Sequence, residues 1–223
     1  MNSPNSIFRE TERYFQQQAL FEDEWFITLP KVQTPMFVTL EQMYEQIKEC
    51  QLCPLGATRT NFVFGVGDPK SQVVFIGEAP GREEDLQGEP FVGRAGQLLN
   101  RILESINLDR KSVYICNIIK CRPPANRDPS SQETATCIPY LEQQLQIIRP
   151  KIIVALGRIS AQYLLNSTAP MNQLRGKMYR RGSSMLMVTY HPAALLRNPN
   201  WKTDTWEDMK MLRRILDGEE KVS

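Results

Sequence analysis

The sequence predicts an α/β protein of three layers, α/β/α, with a central, mostly parallel four-stranded sheet. Four short apolar runs carry this prediction: QVVFI at 72–76, VYICNII at 113–119, KIIVALG at 151–157 and MLMVTY at 185–190. Each is nearly continuous rather than alternating, the pattern of a strand covered on both faces. Stretches with helical periodicity lie between the runs, as parallel crossovers require. At 223 residues the chain is long enough for one such domain and an appendage.

The elements follow in order. Residues 1–40 are expected to be a helical extension and linker: IFRETERYFQQQALFEDEWF has one apolar face, and ITLPKVQTP is proline-broken. That helix either packs on the main domain or docks a partner. The main domain is expected over 41–217, with a tail at 218–223. Thr39 is placed to N-cap the helix in TLEQMYEQIKEC. Further helices are expected near 94–106, 131–147, 158–165 and 203–217. The polar segment 122–131 reads as a loop. In such sheets ligands bind beyond the carboxyl ends of the strands. The loops to watch are therefore 77–93, 117–130, 157–158 and 190–200.

Bulk properties exclude some classes. No run of 18 apolar residues exists, so no membrane helix is expected. MNSPNSIFRETERYFQQQ lacks an apolar h-region, which points to a cytoplasmic protein. The net charge of +2 excludes a uniformly basic protein but not a basic groove. Five cysteines with no export signal argue against a disulfide framework.

Four groups of residues carry candidate chemistry. Cys50 and Cys53 form a Cys-x-x-Cys pair, and Cys121 and Cys137 are separated by fifteen residues. Together they offer four thiolates to one centre, and spacing does not separate zinc from an iron–sulfur cluster. Cys116, inside VYICNII, reads as core. The second group is GEAPGREEDLQGEPFVGRAG at 77–96. It is neither a dinucleotide fingerprint nor a P-loop, and the chain has no Gly-x-Ser-x-Gly elbow. Glu78, one residue past a strand end, is placed to stabilise a developing cation or position water. The third group is HPAALLRNP at 191–199, led by the one histidine of the chain, His191. Leucines exposed on such a loop can wedge into a base stack. The fourth is a basic set that includes Arg122, Arg127, Arg158, Arg175, Arg197 and Lys202, which suits a polyanion.

GEAPGREEDLQGEPFVGRAGQLL, NIIKCRPPANRDP and HPAALLRNP together resemble the signature blocks of the family 4, iron–sulfur uracil-DNA glycosylases. The resemblance covers roughly residues 45–216. It implies a [4Fe–4S] cluster on Cys50, Cys53, Cys121 and Cys137, with Cys116 free. It implies a monofunctional glycosylase of base excision repair that flips uracil out of single- or double-stranded DNA and hydrolyses its glycosidic bond. Glu78 and His191 would be catalytic, the first at the sugar and the second as a hydrogen-bond donor to the departing base. Phe91 would stack on uracil, Asn117 would read its edge, and Glu84 would close the pocket where thymine's methyl would fit. Ala79 joins these substrate-binding residues. Leu195 would be the wedge, with Leu196 and Arg197 in support. Asp85 and Glu89 are expected to be solvated. PPANRDP lacks the lysine- and histidine-bearing insertion of a related branch that is trapped on DNA, which implies free turnover, and no lysine is placed as a nucleophile in these motifs, which implies no strand cleavage. A monomer associated with the nucleoid is expected, with a replication or repair partner reached through residues 1–40. The competing reading is a non-catalytic DNA-binding module.

Overall fold

The structure, a computed structural model, describes residues 37–219. The expected N-terminal helix, its linker as far as residue 36, and residues 220–223 of the tail lie outside the described residues. In chain order the elements are α1 (Leu40–Ile47), β1 (Val66–Gly67), β2 (Val73–Gly77), α2 (Arg82–Gln87), α3 (Arg94–Glu104), β3 (Tyr114–Asn117), α4 (Ser131–Ile148), β4 (Ile152–Leu156), α5 (Arg158–Leu165), α6 (Met171–Leu174), β5 (Met178–Arg181), β6 (Ser184–Thr189), α7 (Pro192–Arg197) and α8 (Trp201–Leu216).

The four expected strands form the parallel centre of the sheet, in the order β3-β2-β4-β6. Two short antiparallel strands, β1 and β5, extend it to six, one at each edge. Side chains alternate across each strand. Val74 and Ile76 of β2 join Ile153, Leu186 and Val188 in a core completed by α1 and α4. Val73 and Phe75 join Ile115, Val154 and Met187 in a second core under α3 and α8. Both faces are therefore buried, which is why the strands read as continuous apolar runs.

The caps fit the sequence. Thr39 Oγ1 accepts from the Gln42 amide at 3.2 Å and starts α1. Ser130 and Glu133 form a reciprocal capping box that starts α4. Two segments expected as loops contain short helices. REEDLQ forms α2, and His191 caps α7 with Pro192 in its first turn.

Register brings the strand ends level. Gly77 lies opposite Asn117, and Leu156 opposite Thr189. The chain leaves β2 to one side, for β3, and leaves β4 to the other, for β6, so the crevice between β2 and β4 is a topological switch point. Among the described residues no helix is long and apolar enough to cross a membrane.

Candidate active site at the carboxyl ends of the parallel strands

One cavity of about 790 Å³ opens at these strand ends, and Glu78, Ala79, Glu84, Phe91, Asn117, His191 and Arg197 all line it. Each reaches it from a strand end or from the loop or short helix that follows. Glu78 follows β2, Asn117 ends β3, and His191 stands two residues past β6.

Glu78 is partly desolvated there. Burial, reinforced by the nearby charge of Asp128, raises its carboxyl pKa to about 7, while Arg158 pulls it down. Asp128 and Arg158 pair at 3.2 Å. His191 behaves in the opposite sense. Desolvation, then the charge of Arg197, lowers its pKa to about 4, so the ring is neutral at neutral pH. Its Nδ1 accepts from the Ala193 amide at 3.1 Å. The proton of the neutral ring therefore sits on Nε2, leaving Nε2–H as a donor. Gly157 has φ +92°, and a Cβ there would lie 2.8 Å from His191 Cβ, so the glycine lets the histidine come close.

Phe91 has an unusual backbone, with φ +55°. A non-glycine residue in this region costs about 1 kcal/mol, so its surroundings must hold it. Two charged groups do so. Arg110 donates to the carbonyl oxygens of Phe91 at 3.0 Å and Pro90 at 2.7 Å. Glu84 Oε1 accepts from the amides of Val92 at 3.0 Å and Gly93 at 2.9 Å. The Phe91 ring lies 5.4 Å from the His191 ring, centroid to centroid. Gly77 sits beneath Phe91 and Asn117. A Cβ there would fall 2.4 Å from Asn117 Oδ1 and 2.6 Å from Phe91 Cζ. The glycine is required by these two side chains. Asn117 Oδ1 is buried and has no hydrogen-bond partner among the described residues.

Two expectations are corrected. Leu195 is not exposed: it is 1% accessible and lies among Leu98, Ile102 and Met209, between α3 and α8. Its neighbour Leu196 is 38% exposed. Successive residues of a helix diverge by about 100°, so α7 sends one leucine inward and the next outward. Asp85 is not solvated. It is buried and accepts from the Thr60 amide at 2.9 Å, tying α2 to the segment after Cys53.

The four expected ligand cysteines share one neighbourhood. Cys121 and Cys137 belong to the core beneath α1 and α4, and Cys50 and Cys53 pack against it. Arg59 donates to Cys121 Sγ at 3.4 Å and to the Cys50 carbonyl oxygen at 2.6 Å. The Tyr140 hydroxyl donates to Cys50 Sγ at 3.7 Å. Burial pushes the Cys121 thiol up to about 11 and Cys137 to about 12, with the other cysteines adding to it. Each thiolate would raise the cost of the next, so the set suits a cation that draws all four protons off. No three His, Cys, Asp or Glu side chains among the described residues close on a point that would hold a single metal ion. Cys116 is buried in β3, as expected of a core residue.

Sequence reasoning missed Arg110, Asp128 and Trp201. Arg110 lies in a loop with no motif around it, and its role depends on a hydrogen bond to a residue nineteen positions earlier.

The family model of the Uracil DNA glycosylase superfamily matches residues 64–210. The chain is 46% identical over 185 residues to the Type-4 uracil-DNA glycosylase of Archaeoglobus fulgidus, covering 79% of this chain and 93% of that protein. It is 44% identical over 186 residues to the Type-4 uracil-DNA glycosylase of Sulfurisphaera tokodaii, covering 79% and 84%. With the Type-4 uracil-DNA glycosylase of Thermotoga maritima it shares 44% identity over 161 residues, covering 71% and 84%. With strand ends that gather a desolvated carboxylate, a neutral histidine and an amide oxygen unpaired among the described residues, and with this similarity to those proteins, the chain belongs to the uracil-DNA glycosylase superfamily, in its type-4 branch.

Proposed function

We propose that this protein excises uracil from DNA as a monofunctional glycosylase, leaving an abasic site for base excision repair. The observation that carries the reading is Asn117 Oδ1, a buried acceptor with no partner among the described residues, beside the Phe91 ring. An unpaired buried acceptor costs about 1–3 kcal/mol. The N3–H of a flipped uracil would satisfy it, and the Asn117 Nδ2 group would donate to uracil O4.

The chemistry divides between two groups. Breaking the N-glycosidic bond builds positive charge on the sugar and negative charge on the base. The ionised Glu78 carboxylate stabilises the sugar cation and accepts a proton from the attacking water. His191 donates from Nε2 to the uracil oxygen that gains charge, without having to be protonated itself. A donor aimed at such charge is worth about 3–4 kcal/mol. Phe91 stacks on the base, with Ala79 beside it on the cavity wall. Glu84 sets the wall where a 5-methyl group would fall, by fixing the backbone of Val92 and Gly93. The wedge passes from Leu195 to the exposed Leu196, with Arg197 at the phosphates.

Arg110 holds the Phe91 platform from behind. Arg110→Ala is expected to lower kcat/KM for uracil release about tenfold or more, with the fold retained by circular dichroism. Unchanged kinetics would remove Arg110 from the site.

Cys50, Cys53, Cys121 and Cys137 would hold a [4Fe–4S] cluster. Thiols that share a neighbourhood without closing on one point suit a cluster that spreads its ligands over four metal atoms. When bound, that group supplies a covalent tie between the end of α1, the loop after β3, and α4. Cys137→Ser is expected to lower the unfolding midpoint by about 5–10 °C, with kcat of the folded fraction changing less than tenfold. Broad visible absorption and about four irons per chain in the unaltered protein check the cofactor itself.

The deciding experiment incubates cluster-loaded protein with single- and double-stranded oligonucleotides carrying one uracil. Strand breaks should follow alkali treatment and should not precede it. No uracil-dependent break in either substrate overturns the reading in favour of a binding module. In this reading the protein acts as a monomer on nucleoid DNA in the cytoplasm, and residues 1–40 are assigned to a replication or repair partner.

A further inference from the structure

The outer part of the cavity carries an aromatic pair that excision of the base does not use. Tyr190 precedes His191, and Trp201 is the first residue of α8. Their rings stack with centroids 4.6 Å apart and planes 9° apart. Both line the same cavity as Glu78 and His191.

The pair is held in place by a charged network. The Arg175 guanidinium lies 5.4 Å from the Tyr190 ring centroid. Arg175 donates to Asp208 Oδ1 at 2.9 Å and to the Asp204 carbonyl oxygen at 2.7 Å. The Thr189 hydroxyl donates to Asp208 Oδ2 at 2.7 Å, so the end of β6 and the body of α8 are locked together. Asp208 is 2% exposed. The Tyr190 ring and the helix that carries the indole are thus held in place, and the indole rests on that ring. Trp201 nevertheless keeps 37% of its surface exposed, beside a cavity whose lining also includes Arg158 and Arg197. A rigid, partly exposed indole with cations nearby is the arrangement that binds unpaired bases.

We propose that Trp201 is a second base-binding platform, which stacks on a base directly flanking the flipped nucleotide while uracil occupies the inner pocket. The enzyme then holds two successive nucleotides, one between Phe91 and Asn117 and one on the indole. A base can reach Trp201 only when it is unpaired. Single-stranded DNA meets that condition freely, whereas a duplex must open a second pair. The proposal therefore carries a strand preference for single-stranded substrate. It rests on the uracil-excision reading.

The test is a double-mutant cycle between the protein and its DNA. The probes are single-stranded oligonucleotides with one 2′-fluoro-deoxyuridine, which resists cleavage. In two further versions a tetrahydrofuran spacer removes the base on the 5′ or the 3′ side. The unaltered protein is expected to bind about tenfold more weakly when one of the two flanking bases is removed, as loss of one base stack implies. Trp201→Ala is expected to bind the intact probe about tenfold more weakly and to be indifferent to that spacer. Trp201→Phe should keep most of the affinity and the sensitivity. Trp201→Leu, which fills the space without an aromatic face, should behave like Trp201→Ala and serves if the alanine variant fails to fold. Equal spacer losses in the unaltered and variant proteins, or no loss in the unaltered protein at either flank, would overturn the proposal. Uracil release from the ordinary deoxyuridine oligonucleotide is measured in parallel. Release without a spacer effect removes Trp201 alone, and absence of release removes the excision reading beneath it.

Discussion

Glu78→Gln is expected to lower kcat for uracil release by about 10²–10⁴-fold while making the folded protein more stable above pH 7. Both effects have one origin. The pKa of Glu78 rises from 4.5 to about 7, chiefly through burial. Only the ionised form can stabilise the sugar cation and take a proton from water. Activity under kcat/KM conditions should therefore climb with pH through about 7, while His191, at about 4, stays neutral throughout that range. Stability runs the other way. The folded state binds the Glu78 proton more tightly than the unfolded chain does, so stability falls as pH rises from about 4.5 to about 7 and stays lower above it. The full shift would be about 3 kcal/mol, and the partial exposure of the carboxylate reduces this to about 1–2 kcal/mol. Glutamine removes the dependence, which should raise the unfolding midpoint at pH 8 by about 2–6 °C and leave it little changed at pH 4. Calorimetry at the two pH values, with the rate profile, checks this. A rate profile flat between pH 6 and 8 would contradict the assigned role.

Gly77→Ala should do comparable damage without touching a reacting group. The new methyl would meet Asn117 Oδ1 and Phe91 Cζ well inside contact distance. Neither can retreat easily. Asn117 is 1% exposed at the end of β3, and Phe91 is clamped by Arg110 and Glu84. Displacement of the base-reading amide by about 1 Å costs roughly 10²-fold in rate. We expect kcat/KM to drop by at least that factor, with native circular dichroism and a modest loss of stability. Phe91→Ala added to Gly77→Ala should cost less than the product of the two single losses, because it makes room for the methyl. Near-native activity of Gly77→Ala would show that the platform and the amide are mobile.

The buried half of the fold was legible because burial writes itself in composition. QVVFI and KIIVALG are apolar throughout since both of their faces are covered. The edge strands were not legible: Val66–Gly67 is two residues long, and MYRR is half charged, with Arg180 exposed and Arg181 paired with Glu142. Helix α2 was hidden by its glycine-rich, acidic surroundings, which read as loop. A sharper error lay in the two leucines of HPAALLRNP. Treated as a loop, the segment has no phase, and either leucine can be the exposed one. His191 as cap and Pro192 in the first turn were a helix signal, and the helical phase would have turned Leu195 inward. Glu84 and Asp85 show the opposite limit. Their partners are backbone amides eight and about twenty-five residues away, and no local pattern records such a bond.

With Leu196 as the proposed wedge, the inward turn of Leu195 also bears on how that side chain would enter DNA. A wedge on a floppy loop must be frozen at the moment of insertion, and that lost freedom is charged against every encounter. Here α7 is anchored by Leu195 against α3 and α8, so Leu196 projects from a backbone already set in place. On that proposal, probing of undamaged helices would be a collision with a tooth on a fixed base rather than a folding event. The rate of base opening would be set by the compliance of the nucleic acid: weak or mismatched steps yield first, and well-stacked ones are passed over.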